Sequence, residues 1–564
     1  MEALDWLVIG VFFLALIGII VWVVRQKQND SADYFLGGRD ATWLAIGASI
    51  FASNIGSEHL IGLAGAGASS GMAMAHWEIQ GWMILILGWV FVPFYSRSMV
   101  YTMPEFLERR YNPQSRTILS VISLVSYVLT KVAVTVYAGG LVFQQVFGIK
   151  ELWGIDFFWI AAIGLVVLTA LYTIFGGMKS VLYTSVLQTP ILLLGSLIIL
   201  VLGFKELGGW DEMMRVCGAV TVNDYGDTMT NLIRSNDDAN FPWLGALIGS
   251  AIIGFWYWCT DQFIVQRVLS GKNEMEARRG TIFGAYLKLL PVFLFLIPGM
   301  IAFALHQKYI GAGGEGFLPM LENGTANADA AFPTLVAKLL PAGVKGLVVC
   351  GILAALMSSL ASLFNSSAML FTIDFYKRFR PQTSEKKLVG IGQVATVVIV
   401  ILGILWIPIM RSVGDVLYTY LQDVQSVLAP GIAAAFLLGI CWKRTSAQGG
   451  MWGLISGMVI GLTRLGAKVY YSNAGEVADS TFKYLFYDMN WLFFCGWMFL
   501  FCIIVVIVVS LATEAPTAEK IQGLVFGTAT KEQKASTRAS WNHWDIIHTV
   551  IILAITGAFY WYFW

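Results

Sequence analysis

The sequence predicts an all-α polytopic membrane protein, and three observations carry that prediction. Of its 564 residues, 57% are hydrophobic and only 13% are charged, against about a quarter charged in an ordinary soluble domain. Apolar stretches of about 20 residues, the length that crosses a bilayer, recur along the whole chain. The basic residues fall alternately into dense and sparse connections, as the positive-inside rule requires. The net charge of +1, from 36 Lys and Arg against 35 Asp and Glu, points to no nucleic-acid partner. Six cysteines are scattered with no CxxC and no Cys/His cluster, which excludes a disulfide scaffold and a zinc module. The connections are too short for a catalytic domain and no nucleophile–base pair appears, so an enzyme is not expected. No obligate protein partner is evident; the lipid bilayer is the expected surrounding.

The spans are expected, in order, near 5–24, 41–70, 78–100, 117–148, 154–174, 180–204, 241–263, 277–306, 337–375, 388–409, 415–440, 450–469, 490–512 and 545–563, about fourteen in all. The first is long enough to read as a retained span rather than a cleaved signal. The second and ninth are longer than a bilayer requires, which calls for breaks, tilts or extensions. Thr102-Met-Pro-Glu105 has the pattern of a short helix start. With the N-terminus outside, the inner connections hold 23 of the 36 basic residues and the outer ones 8. The rule therefore places both termini outside. Asn323-Gly-Thr325 on an outer connection fits a glycosylation acceptor, a pattern common by chance.

Polar residues inside spans are costly and face a cavity or a partner. In Ala52-Ser-Asn-Ile-Gly-Ser-Glu-His59 every residue but Ile55 is small or polar, and Gly56 weakens the helix. Non-helical backbone at that depth lines a cavity or is buried in protein, and its free carbonyls suit a cation. A polar helix–helix contact is the plainer reading. Ala355, Ser358, Ser359 and Ser362 share one helix face at i, i+3, i+4 and i+7. Hydroxyls so arranged suit a hard monovalent cation, although serines on membrane helices usually pack or bond back to their own helix.

Gly254-Phe-Trp256-Tyr257-Trp258-Cys-Thr260-Asp261-Gln262 combines aromatic faces with polar groups, as a sugar ring needs; an interfacial aromatic belt is the alternative. Lys288 is too central to reach the interface. It would hydrogen-bond a polyol or pair with Glu58 or Glu78. Glu78 lies at a span edge, where it could face water. Gln422, in Tyr418-Thr-Tyr-Leu-Gln422-Asp423-Val-Gln425, offers donors and an acceptor to a hydroxylated solute, or simply bonds another helix.

Together these stretches resemble the sodium/solute symporters, in their sodium–glucose cotransporter (SGLT) branch. The matching runs are Ile61-Gly-Leu-Ala-Gly65, Gly88-Trp-Val-Phe-Val-Pro93, Thr102-Met-Pro-Glu105-Phe, Trp256-Tyr-Trp-Cys-Thr-Asp-Gln262 with Val265-Gln-Arg267, Leu356-Met-Ser-Ser-Leu360, Phe364-Asn-Ser366, Leu370-Phe-Thr-Ile-Asp374 and Pro430 through Trp442-Lys-Arg444. They cover about 50–440 in family order. The resemblance implies a LeuT-type fold of two inverted five-helix repeats around a midplane site. It divides the single transport domain 1–564 into a peripheral helix 5–24, repeats 41–204 and 241–440, and peripheral helices 450–564.

By the same resemblance, the sodium ion is held by the carbonyls of Ala52, Ile55 and Ala355 and the hydroxyls of Ser358 and Ser359. Sugar contacts fall on His59, Glu78, Trp258, Lys288 and Gln422. Tyr257 becomes the inner-gate aromatic, and Asn54, Leu63, Gly81 and Tyr418 line the pocket. Two departures stand out. Tyr183-Thr184-Ser185-Val-Leu-Gln188-Thr189 has Ser185 where many members carry Asp, which weighs against a second sodium. Gly254 replaces a larger polar residue near the sugar. The implied function is sodium-coupled symport of a glucose- or galactose-like monosaccharide by alternating access; the short inner connection 513–544 points to a plasma membrane of bacterial inner-membrane type. Symport of inositol, a nucleoside or an organic acid, or a passive polar-solute channel, are the alternatives.

Overall fold

A computed structural model describes residues 1–564 except 27, 29, 57, 322–323, 412–416 and 474–477, and describes no side chain at 129, 145, 409–411, 417–421 and 473. Ser57, Asn323 and the side chain of Tyr418 therefore lie outside the described residues.

The chain is helical almost throughout; its paired strands among the described residues are the two-residue Glu151–Leu152 and Ile155–Asp156. Eleven described helical stretches are long and apolar enough to cross a membrane. Helices are the form that satisfies every backbone group in lipid without a neighbour. The fifth and sixth expected spans lie in one helical run, Phe157–Leu207, whose direction changes at Gly177, φ 53 and ψ −148. The ninth is the long helix Val344–Met369, continued by a π-helical turn Leu370–Tyr376 and buried along nearly all of its length.

The second expected span is broken. A helix Trp43–Asn54 ends at Ile55, which is extended (φ −81, ψ 106), and a π-helical turn Glu58–Leu63 leads into helix Ala64–Ser70. A Cβ at Gly56 would meet Ser359 Oγ at 2.8 Å, so the break lies directly against the long central helix. Further on, a Cβ at Gly67 would meet Leu296 O at 2.2 Å, and one at Gly299 would meet Ala64 O at 1.9 Å. The second half of the broken span and helix Ile297–Gly311 thus cross backbone to backbone, which small residues alone permit.

The expected short helix forms over Met103–Arg110, with Thr102 Oγ1 accepting from Glu105 N at 3.2 Å. Glu105 Oε2 accepts from Tyr101 N rather than completing a capping box on Thr102.

The connections gather on two faces. On one, Arg97 donates to Thr537 Oγ1, Lys520 to Glu108 O and Arg444 to Thr513 O. Glu274 accepts from both Thr537 and Ser540, so the connection 513–544 is stitched beneath the bundle. On the other, Lys308 donates to Leu207 O and Arg234 to Ser70 O. Both termini belong there: Asp5 Oδ1 accepts from Gly343 N (2.7 Å) and Gly346 N (2.8 Å), and Leu232 N donates to Phe563 O at 3.0 Å.

Candidate functional site

Three π-helical turns come together in the middle of the bundle: Glu58–Leu63, Tyr127–Val132 and Phe255–Thr260. A π turn holds one residue more than an α turn and turns a side chain out of register with its helix, a feature frequent at functional sites. Here the turns supply His59, Lys131, Tyr257 and Trp258 to one small cavity of about 60 Å³. Asn54, Glu78, Gln80, Thr135, Lys288, Ser359, Gln422 and Gln425 complete most of its polar wall.

Both of its lysines are paired with carboxylates, while the Glu58 carboxyl, its Oε2 buried, stands outside those pairs among the described residues. Lys288 Nζ lies 2.6 Å from Glu78 Oε2 and donates to Asn54 Oδ1 at 3.1 Å. Asn54 Nδ2 donates in turn to the Tyr257 hydroxyl at 3.2 Å. His59 Nε2 stands 3.4 Å from the same Glu78 oxygen. Lys131 Nζ pairs with Asp261 Oδ2 at 2.7 Å. Buried charges persist when paired and hydrogen-bonded in this way. Of the two partners expected for Lys288, the fold chooses Glu78. Glu78 itself is 1% exposed rather than at a wet span edge, because the backbone leaves the helix at Ile79 and Gln80 and turns it inward.

The aromatic run faces protein. Trp256 and Trp258 are buried, so the lipid-belt reading of that segment does not hold. Tyr257 packs edge-on to Trp258 with centroids 4.9 Å apart, and Lys288 Nζ sits 5.4 Å from the Trp258 ring. At the Gly254 departure the space is taken by Gln80: a Cβ at Gly254 would meet Gln80 Oε1 at 2.5 Å. Gln80 Oε1 accepts from Trp258 Nε1 (3.3 Å), and its Nε2 donates to Ser250 O (2.8 Å). A polar amide thus returns to that wall from another helix.

Behind the cavity lies a face of neutral oxygens. Ser359 Oγ donates to Ser53 O at 2.8 Å, and Ser362 Oγ lies 2.6 Å from Ser53 Oγ. Ser358 Oγ lies 3.3 Å from Ser185 Oγ. These serines bond across to the broken helix and to Phe157–Leu207 rather than back to their own helix, against the commoner habit. Ala52, Ile55, Ala355, Ser358 and Ser359 are all buried at this junction. Ser359 also lines the cavity, so the two regions share a side chain.

Leu63 and Gly81 are buried but do not line the cavity. Lys131, Gln80 and Thr135 do, although no sequence motif marks them as site residues. A lysine in the middle of span 117–148 is the one available signal. His76 serves elsewhere, with Nδ1 2.9 Å from the Tyr560 hydroxyl and Nε2 3.0 Å from Leu232 O, so it forms no pair with Glu78.

Comparison with known proteins agrees with this architecture. The profile described as "Sodium:solute symporter family" matches residues 34–457. Sodium/myo-inositol cotransporter 2 of Homo sapiens is 36% identical over 542 residues, covering 94% of this chain and 79% of that protein. Sodium/glucose cotransporter 4 of Danio rerio is 36% identical over 560 residues, covering 96% and 84%. A Na+-coupled sialic acid symporter, solved in a substrate-bound outward-open state, aligns over 92% of this chain and 99% of its own with a TM-score of 0.72 at 22% identity, and shares the fold, which is of the LeuT type. With a family match over most of its length and relatives this similar across nearly all of it, the chain belongs to the sodium:solute symporter family and is a multi-pass, sodium-coupled symporter of a solute.

Proposed function

We propose that the solute is a neutral monosaccharide, glucose- or galactose-like, carried with sodium by alternating access. The observation that carries this reading is the cavity wall. Its two lysines are each already paired with a carboxylate, which leaves strong donors and acceptors, and the Glu58 carboxyl outside both pairs, beside the buried Trp258 ring. A neutral ring with several hydroxyls can exchange hydrogen bonds with such a wall, whereas an organic acid would have to displace Glu78 from Lys288. Gln422 Oε1, buried and without a partner among the described residues, is an acceptor for one hydroxyl. Substrate contacts in this reading are His59, Glu78, Trp258, Lys288 and Gln422, with Asn54 and Tyr418 beside them and Tyr257 as the moving aromatic wall. At about 60 Å³ the cavity is far below the roughly 300 Å³ of a ligand site. Tyr257 or its neighbours must therefore move to admit a sugar, which favours a carrier over an open channel.

Sodium, as the co-substrate, is proposed to bind the carbonyls of Ala52, Ile55 and Ala355 and the hydroxyls of Ser358 and Ser359. The support is their common burial at the break. In this reading the chain crosses the membrane fourteen times, with 41–204 and 241–440 as the inverted repeats. Both termini lie outside a plasma membrane, a bacterial inner one by our reading, because the face opposite them carries most of the basic residues. A cysteine placed at Tyr225 should then react with an impermeant maleimide added to whole cells.

A second reading, myo-inositol as solute, is favoured by the names of the similar cotransporters. Uptake of labelled glucose, galactose and myo-inositol into proteoliposomes, with and without an inward sodium gradient, decides between them. Sodium-driven uptake of glucose or galactose supports the first reading, and uptake of myo-inositol alone the second. Uptake of none of the three overturns both.

A further inference from the structure

One ion pair of the cavity has no place in the proposed binding of either sodium or solute. Lys131 lies in the π-helical turn Tyr127–Val132, and Asp261 lies where the aromatic turn Phe255–Thr260 stops and helix Gln262–Leu269 starts. At that point the backbone is extended, φ −78 and ψ 127, so no helical ladder continues from Trp258 to Phe263. The orientation of the Tyr257 segment relative to the helix after it is therefore set by side chains.

Lys131 grips both sides of the break from a different helix. Downstream, its ammonium is 2.7 Å from Asp261 Oδ2 and 4.8 Å from the centre of the Phe263 ring. Upstream, it is 4.8 Å from the Tyr257 ring and 5.3 Å from that of Trp256. Tyr127, one turn before Lys131, adds its own ring at 5.1 Å and its hydroxyl to Asp261 Oδ1. The same carboxylate caps the downstream helix by accepting from Phe263 N at 3.3 Å. Cation–π attraction strengthens when the cation is desolvated, and here Lys131 is 10% exposed. A charge on Lys131 thus ties Tyr257 to the downstream helix, beside the separate Asn54 bond to the Tyr257 hydroxyl, and its loss loosens that tie.

We infer that Lys131 and Asp261 form a latch. They are a positioning pair that fixes Tyr257 as a wall of the cavity, and solute leaves past Tyr257 only when the pair parts. The inference rests on the proposal that this cavity holds the solute, but its test does not require the solute to be known.

Cys259 lies in the aromatic turn two residues after Tyr257, buried, with Sγ donating to Met83 O at 3.6 Å. Cys217 and Cys495 are buried elsewhere and report general loosening. The experiment follows N-ethylmaleimide alkylation of each cysteine by mass spectrometry in full-length protein reconstituted with sodium. Lys131→Met and Asp261→Asn should each raise Cys259 alkylation about tenfold or more, as local opening of one segment would. Cys217 and Cys495 should stay at wild-type rates, and Lys131→Arg should restore slow labelling of Cys259. Unchanged Cys259 labelling in Lys131→Met would overturn the latch. So would a parallel rise at all three cysteines, or an Arg variant as reactive as the Met one. Should Lys131→Met fail to fold, the nearly isosteric Asp261→Asn decides alone. Absence of any sodium-driven sugar or inositol uptake would sink the proposed function and leave this result standing.

Discussion

Two polar regions lie back to back on the broken helix, and they solve the problem of polarity in a membrane in opposite ways. The cavity holds full charges, Lys288 with Glu78 and Lys131 with Asp261, each cancelled by a partner within 2.7 Å. The serine face holds hydroxyls and carbonyls, with the Glu58 carboxyl at its edge beside Gly56 and Ser359. The difference teaches what each can receive. Neutral oxygens can replace the hydration of a small cation without trapping it, while pre-paired charges offer strong hydrogen bonds to a ligand that brings no charge. Both regions meet in two consecutive residues. Ser53 O accepts from Ser359, and the Asn54 side chain joins Lys288 to Tyr257. A shift of one turn at the break alters both, so sodium and solute bound there as proposed would have mutually dependent affinities.

The contrast can be broken most severely at Lys288. Lys288→Met leaves Glu78 buried and without its cation, and should cost about 3–5 kcal/mol of stability together with nearly all uptake. The double variant Lys288→Met/Glu78→Gln should unfold at a higher temperature than Lys288→Met alone. Thermal unfolding in detergent checks the order, and a double variant weaker than the single one would show that the pair is not the unit.

Asp329, in the connection between helices Ile297–Gly311 and Ala331–Leu339, sharpens the comparison as a half-buried carboxylate whose enclosed Oδ1 has no hydrogen-bond partner among the described residues. Burial pushes its carboxyl up to about 6. The protonated acid is the form the fold prefers, so its stabilising share is present below pH 4 and is lost as pH rises through 6. Asp329→Asn should match the wild type near pH 4 and exceed it by roughly 2–3 kcal/mol at pH 8. Denaturant unfolding at the two pH values tests this; equal stability at both would sink it.

At the serine face the expected effects are smaller and confined to the cation. Ser358→Ala with Ser359→Ala should raise the sodium concentration for half-maximal uptake about tenfold, while solute affinity at saturating sodium stays within about threefold. An unchanged sodium dependence would remove these hydroxyls from the site. Ser185→Ala, which deletes one hydroxyl 3.3 Å from Ser358, should change sodium dependence by less than about threefold.

Much of this contrast is legible along the chain. The hydroxyl face comes from helical spacing alone, because 355, 358, 359 and 362 repeat with the helix period. The break at Ile55 comes from small and polar residues where apolar ones belong. The features that stay hidden depend on distant neighbours. Nothing local says that Lys288 meets Glu78 rather than Glu58. Gln80 matters only because Gly254, on another helix, leaves it room. Lys131 is one more basic residue within a span until three helices close around it. The belt reading of Trp256 and Trp258 fails for the same reason, since composition cannot tell which side of a helix meets lipid.

The π-helical turns leave a consequence for the chain's tolerance of length changes. Each holds a surplus residue, so removing one residue from Tyr127–Val132 would convert the turn to α without lengthening any connection. The flanking helices would keep their register, because the turn alone had absorbed the surplus residue. Lys131, inside the turn, would leave the cavity, while Thr135 and the lipid-facing sides of the flanking helices would stay where they are. Single-residue deletions, ordinarily the harshest change to a helix, are here a graded way to re-aim one side chain at a time.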